Sequence, residues 1–163
     1  MSTPNDAIPA GREHLIAHLV CESCSDAIEF YKKAFGAEEH CRMPAPDGRI
    51  LHAEIQIGQS LVFLADDFPE YCNGNSLSPK ALKGTPVTLH RYVLDCDAAI
   101  KQATDAGATI VMPAGDMFWG DRYGIVADPF GHKWSLATHL KDLTAEEMEA
   151  GMKAAFQEAP PQN

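Results

Sequence analysis

The amino-acid sequence carries one order of structural features twice, in residues 14–64 and 87–138. In each copy, an apolar run of β-forming residues surrounds a histidine, which is His18 in the first copy and His90 in the second. A helical pattern that ends in Gly-Ala follows, and then come short strand-like runs separated by glycine turns. A solenoid needs about three or more repeats to bury a continuous core. Two copies therefore favour a pseudo-symmetric sheet protein with two equivalent faces around a cavity.

The hydrophobic periodicity predicts an α+β fold of two tandem βαβββ modules, followed by a C-terminal helix. This last helix lies outside the repeat and begins at a capping box formed by Thr144 and Glu147. The predicted segments, in chain order, are a flexible N-terminus (1–13), the first module (14–66), a linker (67–86), the second module (87–139), the C-terminal helix (140–157) and a disordered tail (158–163).

The charge of the chain limits its partners. It has 23 acidic and 13 basic residues, giving a net charge of −10, and it has no run of Lys or Arg. Nucleic-acid binding needs basic clusters that neutralise phosphates, so a nucleic-acid partner is not expected. No apolar run reaches the length of a membrane span, and the N-terminal residues lack the pattern of a secretion signal. We therefore expect a cytoplasmic protein without a membrane partner.

The five cysteines do not have the spacing of a disulfide framework. Cys21 and Cys24 form a C-x-x-C motif, which begins a helix in thioredoxin-like redox sites. Here Ser25 or Asp26 is the expected N-cap, so Cys24 lies near that helix end. The sequence offers no second cysteine pair to complete a zinc site. The pattern therefore favours reduced structural thiols.

Four sequence segments occur in an order and combination that is typical of one protein family. They are AIEFYKKAFGA (27–37), PDGRILHAE (46–54), WGDRYG (119–124) and DPFGHKWSLAT (128–138). Together they resemble the glyoxalase/bleomycin resistance/dioxygenase family, which is the vicinal oxygen chelate (VOC) superfamily, and within it the PhnB-like subgroup. The resemblance covers about residues 14–150.

This resemblance implies that each βαβββ module forms half of a curled mixed sheet around a cavity, and that the protein is a homodimer. In the metal-binding members of the superfamily, His and Glu side chains hold a divalent metal that binds a substrate through two adjacent oxygens. A metal ion polarises such oxygens as a Lewis acid.

By the same resemblance, metal ligands would lie on the first and last strands of each module, near Ile16, Val62, Thr88 and Ser135. None of these is a good metal ligand, and Ser135 stands where metal-binding relatives carry Glu. A zinc, nickel or iron site needs several converging N, S or O donors. We therefore predict no metal at the usual site and no cofactor, with a divalent metal at a displaced site as the alternative.

His18 and His90 lie two residues beyond Ile16 and Thr88, and alternate side chains of a strand share a face. Both imidazoles are therefore expected to face the cavity and to bind the ligand. The alternatives are hydrogen-bonded wall residues or displaced metal ligands. The matching places on the last strand of each module offer no carboxylate for a metal. Asp66, at the end of the last strand of the first module, is expected to be exposed.

His52 and Glu54 are two residues apart and share one face of a predicted strand. A histidine and a carboxylate in this relation can act as a general base and its orienting partner. We predict this pair as the catalytic acid–base candidate if their face lines the cavity. The alternative is the exposed polar face of an antiparallel strand.

Trp119, Arg122 and Tyr123 combine a flat apolar ring, a planar cation and a phenol within five residues. We predict that they bind the ligand, because such groups stack on aromatic molecules and clamp carboxylates. The alternative is a structural tether in which Asp121 pairs with Arg122 or caps the turn. The DPFG segment at 128–131 is expected to be a structural turn.

Three functions remain open on the sequence alone. The first is metal-independent binding of an unknown small molecule in the sheet cavity. The second is a VOC lyase or dioxygenase whose metal is held by displaced His ligands. The third is a drug-sequestering resistance protein that binds without turnover. The absence of the usual Glu ligand favours the first and the third.

Overall fold

The computed structural model describes residues 7–158 and divides the chain into two compact units, Met1–Lys83 and Gly84–Asn163. Residues 1–6 of the predicted flexible N-terminus and residues 159–163 of the predicted tail lie outside the described residues. Each unit contains a mixed sheet of four strands.

The first unit folds as one βαβββ module. Its elements are β1 (Ala17–Cys21), α1 (Cys24–Phe35), β2 (Glu38–Pro44), β3 (Ile50–Ile57) and β4 (Ser60–Asp66), followed by a 3₁₀ turn (Pro69–Tyr71). The strand order in the sheet is β1-β4-β3-β2. Strand β1 runs parallel to β4, whereas the other neighbours are antiparallel. The parallel pair therefore consists of the first and last strands of the module.

The second unit repeats this plan and adds a helix. Its elements are β5 (Thr88–Tyr92), α2 (Cys96–Asp105), β6 (Thr109–Asp116), β7 (Asp121–Ala127), β8 (Lys133–His139) and α3 (Ala145–Glu158). The strand order is β5-β8-β7-β6, again with the first and last strands parallel. The two modules and the C-terminal helix confirm the predicted α+β fold.

The N-cap of helix α1 lies two or three residues earlier than the sequence suggested. Ser23, rather than Ser25 or Asp26, is the N-cap, and its hydroxyl oxygen accepts a hydrogen bond from the Asp26 N–H at 3.4 Å. Cys24 is therefore the first residue of the helix. The helix ends at Gly36, which has the left-handed φ of 66° that glycine adopts without a Cβ clash.

Asp66 is buried, and the expectation that it is exposed is wrong. Asp66 is 8% exposed, and its carboxylate accepts the N–H of Cys24 at 2.6 Å and the N–H of Ile50 at 2.5 Å. The end of β4 is thereby joined to the starts of α1 and β3. Burial, assisted by the Asp66 charge, raises the pKa of the Cys24 thiol to about 12. A thiol with that pKa is not a redox nucleophile.

Helix α2 packs closely on the sheet of the second unit at Gly124. A Cβ atom at this position would lie 2.5 Å from the Cδ1 of Ile100 and 3.1 Å from backbone atoms of β6. Leu136 and Val126, both fully buried, continue the core at this face. The glycine of the WGDRYG segment therefore lets helix and sheet approach each other.

Helix α3 contacts the body of the second unit through Gly151, where an added Cβ would lie 3.1 Å from the Cβ of Phe118. Its apolar side chains Met148, Met152 and Phe156 stay exposed. Among residues 7–158, no helix combines the length and the apolar character that a membrane span requires.

Candidate functional site

In the first unit, the predicted site residues lie on one face of the sheet. The strand register aligns His18 of β1 with Phe63 of β4, and Phe63 with Glu54 of β3. The next residues along β1 and β4, Leu19 and Leu64, are buried and belong to the opposite face, on which the core lies. We call the His18 side of this sheet the open face.

Three rings meet edge to face on this open face. The ring centroids of His18 and His52 are 6.3 Å apart, and those of His52 and Phe63 are 4.8 Å apart. Burial, together with the nearby imidazole of His52, lowers the pKa of His18. The lowered pKa favours the neutral form of the His18 imidazole. The structure thus brings the predicted ligand-binding His18 close to the predicted acid–base residue His52.

Glu54 is buried and makes an ion pair that the sequence analysis missed. Arg12, within the predicted flexible N-terminus, donates from its two terminal nitrogens to the two Glu54 oxygens, each at 2.7 Å. The His52 Nε2 lies 3.2 Å from Oε1 of the same carboxylate. The hydrogen bond from Arg12 lowers the pKa of Glu54, with a smaller contribution from His52, against the opposing effect of burial. Arg12 lies outside the repeat, so no pattern in the sequence indicated it.

A β-bulge in β2 adds Cys41 to this group. Glu39 pairs with Ile55, but Cys41 pairs with Glu54, so two steps along β2 match one step along β3. Such a bulge changes which side chains share a face. Cys41 consequently lies beside Glu54, whereas Glu39 bonds to Lys32 of α1 on the other side. A strict alternation along the sequence could not have shown this.

In the second unit, His90 occupies the place that corresponds to His18. It pairs with Ser135 in the strand register, and its Nδ1 lies 2.8 Å from the Ser135 hydroxyl oxygen. Its ring stacks on Tyr123, with centroids 6.1 Å apart and an interplanar angle of 19°. Trp119 meets Tyr123 edge to face at 5.6 Å. The structure thus brings the predicted His90, Trp119 and Tyr123 together as one aromatic cluster.

Arg122 does not join this cluster. It precedes Tyr123 in β7, which begins at Asp121, and adjacent strand residues point to opposite faces. Its guanidinium binds Asp97 of α2 and, at 2.8 Å, Asp116. The hydrogen bonds to these two carboxylates raise its pKa. In this structure Arg122 fastens helix α2 to the sheet.

Asp121 does not pair with Arg122, which was one of the alternatives from the sequence. Its buried carboxylate accepts the Tyr92 hydroxyl at 2.9 Å and contacts the His139 Nδ1 at 2.9 Å. Burial alone would raise the pKa of Asp121, but the hydrogen bonds from His139 and Tyr92 outweigh it and lower that pKa. Tyr92 also meets His90 edge to face at 4.8 Å. The buried carboxylate of Asp121 therefore holds Tyr92, which is a member of the aromatic cluster.

The ion pairs of His139 predict a pH-dependent contribution to stability. The hydrogen bond to Asp121, followed by that to Asp142, raises the pKa of His139. Its contribution is therefore full below the unfolded pKa of about 6.5 and is lost as the pH rises through the higher folded value. We expect H139Q to destabilise the protein more at about pH 6 than at about pH 9 in urea unfolding. H14Q, at an exposed residue of the first unit, is the control, and an equal loss for H139Q at both pH values would contradict the assignment.

Two tandem βαβββ modules, each with a histidine on the first strand where that strand pairs with the last, define a class of duplicated-module proteins. The chain belongs to the glyoxalase/bleomycin resistance protein/dioxygenase superfamily, because residues 12–136 match that family. It is 48% identical over 140 residues to the protein Mb0911c of Mycobacterium bovis, covering 86% of this chain and 92% of the relative.

Two solved structures of similar sequence share the fold. The crystal structure of TioX from Micromonospora sp. ML1 is 29% identical with a TM-score of 0.60, covering 78% of this chain and 99% of TioX. The X-ray structure of the Arabidopsis thaliana gene product At5g48480 is 31% identical with a TM-score of 0.62, covering 76% of this chain and 97% of that one.

The residues present do not fit the His-and-Glu metal site expected on the first and last strands. The predicted position Val62 is wrong, because Val62 pairs with Ala17 and is buried on the core face. On the neighbouring last strand, His18 pairs with Phe63 and His90 pairs with Ser135. Neither partner supplies a carboxylate, so no chemistry is assigned to a metal there.

Proposed function

We propose that the protein binds a small planar aromatic molecule on the aromatic cluster of its second unit, formed by His90, Tyr92, Trp119 and Tyr123. The observation that carries the proposal is the parallel stacking of His90 on Tyr123, extended by the rings of Trp119 and Tyr92. Aromatic side chains prefer offset or edge-to-face neighbours, and a planar ligand supplies both contacts at once.

The exposure of the cluster supports a ligand rather than a purely structural role. His90 and Tyr92 are exposed, and Trp119 and Tyr123 are half-buried. Contiguous exposed apolar surface on a soluble protein commonly marks a binding site. The rings are also held in place, because Ser135 contacts the His90 imidazole and Asp121 accepts the Tyr92 hydroxyl. A site that is fixed before binding loses less entropy when the ligand arrives.

We propose that the protein binds a ligand, and we assign no catalysed reaction to it. In the first unit, His52 and Glu54 have the contact expected of a base and its orienting partner, at 3.2 Å. However, both oxygens of Glu54 are engaged by Arg12. The acid–base role of this pair stays a prediction.

We propose three further properties of the protein: its subgroup within the superfamily, its oligomeric state and its cellular compartment. The four sequence segments support the PhnB-like subgroup, and the exposed apolar side chains of α3 support a homodimer. All five cysteines are free thiols, which supports a reducing compartment such as the cytoplasm.

Binding can be tested with 2-naphthol, a planar aromatic probe that has one hydroxyl group. We expect it to raise the melting temperature and to quench the fluorescence of Trp119, because binding to the native state stabilises it. We expect Y123A to weaken binding by up to about tenfold, because an aromatic pair contributes roughly 0.5–1.5 kcal/mol. The variant W119F separates the Trp119 signal from that of Trp134, which is 4% exposed.

Y71A is the matched control, because Tyr71 is an exposed tyrosine of the first unit. We expect its affinity for 2-naphthol to equal that of the wild type. The proposal fails if the wild type does not bind 2-naphthol, or if Y123A and H90A bind it as tightly as the wild type does.

A further inference from the structure

The open face of the first unit carries a second group of side chains whose chemistry differs from that of the aromatic cluster. Cys41, His52 and Glu54 each offer one possible ligand atom, and these three atoms lie within 4.8 Å of one another. They form the one such group of three among residues 7–158. None of them stands on the first or last strand of the module, so this is not the site expected from the superfamily.

The backbone holds these three side chains together. His52 and Glu54 are two residues apart in β3, so both side chains lie on its open face. Cys41 reaches the same face because the β2 bulge places it opposite Glu54. Bulges recur beside functional sites, where they redirect one side chain. The arrangement therefore rests on two paired strands rather than on a loop.

The donor set has the character of a zinc site. Thiolate, imidazole and carboxylate are all zinc ligands, with bond lengths of about 2.0–2.3 Å and tetrahedral geometry. Two ligand atoms of such a site lie about 3.5 Å apart, so the three side chains need only small rotations to close on a metal. Three protein ligands leave the fourth position for water.

Arg12 already brings a positive charge to this group. Its guanidinium holds both oxygens of Glu54, yet its side chain is 34% exposed and comes from the segment before β1. Because Glu54 is buried, loss of Arg12 would leave an uncompensated charge that a bound cation could neutralise. Arg12 and a metal ion would therefore compete for the same carboxylate.

We propose that Cys41, His52 and Glu54 form a zinc-binding site in the first unit, and that Arg12 closes this site when zinc is absent. Binding moves Arg12 off at least one Glu54 oxygen and releases the thiol proton of Cys41 to solvent. The inference does not rest on the proposed function, because the aromatic cluster belongs to the second unit.

The test is a calorimetric titration of the full chain, freed of metal by a chelator, with zinc alone. We expect one zinc per chain, with C41S lowering the affinity about tenfold or more, since even an outer-shell change costs about 10–100-fold. We expect R12Q to raise the affinity about threefold to tenfold, because it removes the competing ion pair. Cys41 is exposed, so C41S should fold, and circular dichroism checks this.

C72S is the matched control, because Cys72 is a half-buried thiol of the same unit outside the group. Cobalt gives a second measurement, since a thiolate-to-cobalt absorption band should appear in the wild type and R12Q and be missing in C41S. The proposal is overturned if C41S binds zinc as tightly as the wild type, if C72S loses binding instead, or if R12Q gains no affinity. Loss of 2-naphthol binding would leave these results unchanged.

Discussion

Replacing Asp128 by alanine is expected to lower the free energy of unfolding by about 3–5 kcal/mol, because a buried acceptor of several hydrogen bonds is lost. One Asp128 oxygen accepts the N–H groups of Phe130 and His132, each at 2.9 Å, and the other accepts the Trp134 indole N–H at 3.0 Å. Asp128 is 5% exposed, so water cannot readily replace it. Urea unfolding followed by circular dichroism measures the loss.

A double-mutant cycle separates the hydrogen bond of Asp128 to the Trp134 indole from its hydrogen bonds to the backbone. In D128N, the amide oxygen can keep both backbone hydrogen bonds, but the amide nitrogen meets the Trp134 N–H as donor against donor. W134F removes that second donor. We expect the double mutant to be more stable than the sum of the single changes predicts, by about 1 kcal/mol. Additivity within about 0.5 kcal/mol would contradict a direct contact between Asp128 and the indole.

The fold was predictable because short stretches of neighbouring residues determine its helices and turns, and because these stretches occur in both modules. Helix α1 has its apolar spacing and the terminal Gly36 in adjacent residues, and the turn at 128–131 has its own Asp, Pro and Gly. Each of these features requires only neighbouring positions to agree. A feature that occurs in both copies is in addition predicted twice, from two independent stretches of sequence.

The site was less predictable because it depends on contacts between distant residues. Alternation along β3 was enough to place His52 and Glu54 on one face. The bulge in β2 is a local departure from alternation, so Cys41 could not be assigned to that face from its position alone. Arg12 reaches Glu54 across 42 positions and belongs to no repeated pattern.

The two copies show how one scaffold can carry different chemistry. His18 and His90 occupy corresponding positions on parallel first and last strands. The neighbours of His18 are His52, Phe63 and, beyond them, a carboxylate with its arginine. The neighbours of His90 are a serine hydroxyl and two tyrosines. This difference is the reason why we propose a zinc site in the first unit and a planar aromatic ligand in the second.

Replacing Asp66 by alanine is expected to lower the free energy of unfolding by about 2–4 kcal/mol, because two charge-assisted hydrogen bonds are lost and two buried donors are left without them. These donors are the N–H groups of Cys24 and Ile50, which begin α1 and β3. Urea unfolding of D66A against the wild type measures the change.

The matched control for D66A is D26A, because Asp26 is an exposed carboxylate in the first turn of the same helix. A charge at a helix N-terminus contributes about 0.3–1 kcal/mol at an exposed position. If Asp66 acted only through its charge on the helix dipole, the two variants would lose similar stability. A loss for D66A at least about twice that for D26A assigns the difference to the buried hydrogen bonds. Equal losses would contradict that assignment and would leave the helix dipole as the cause.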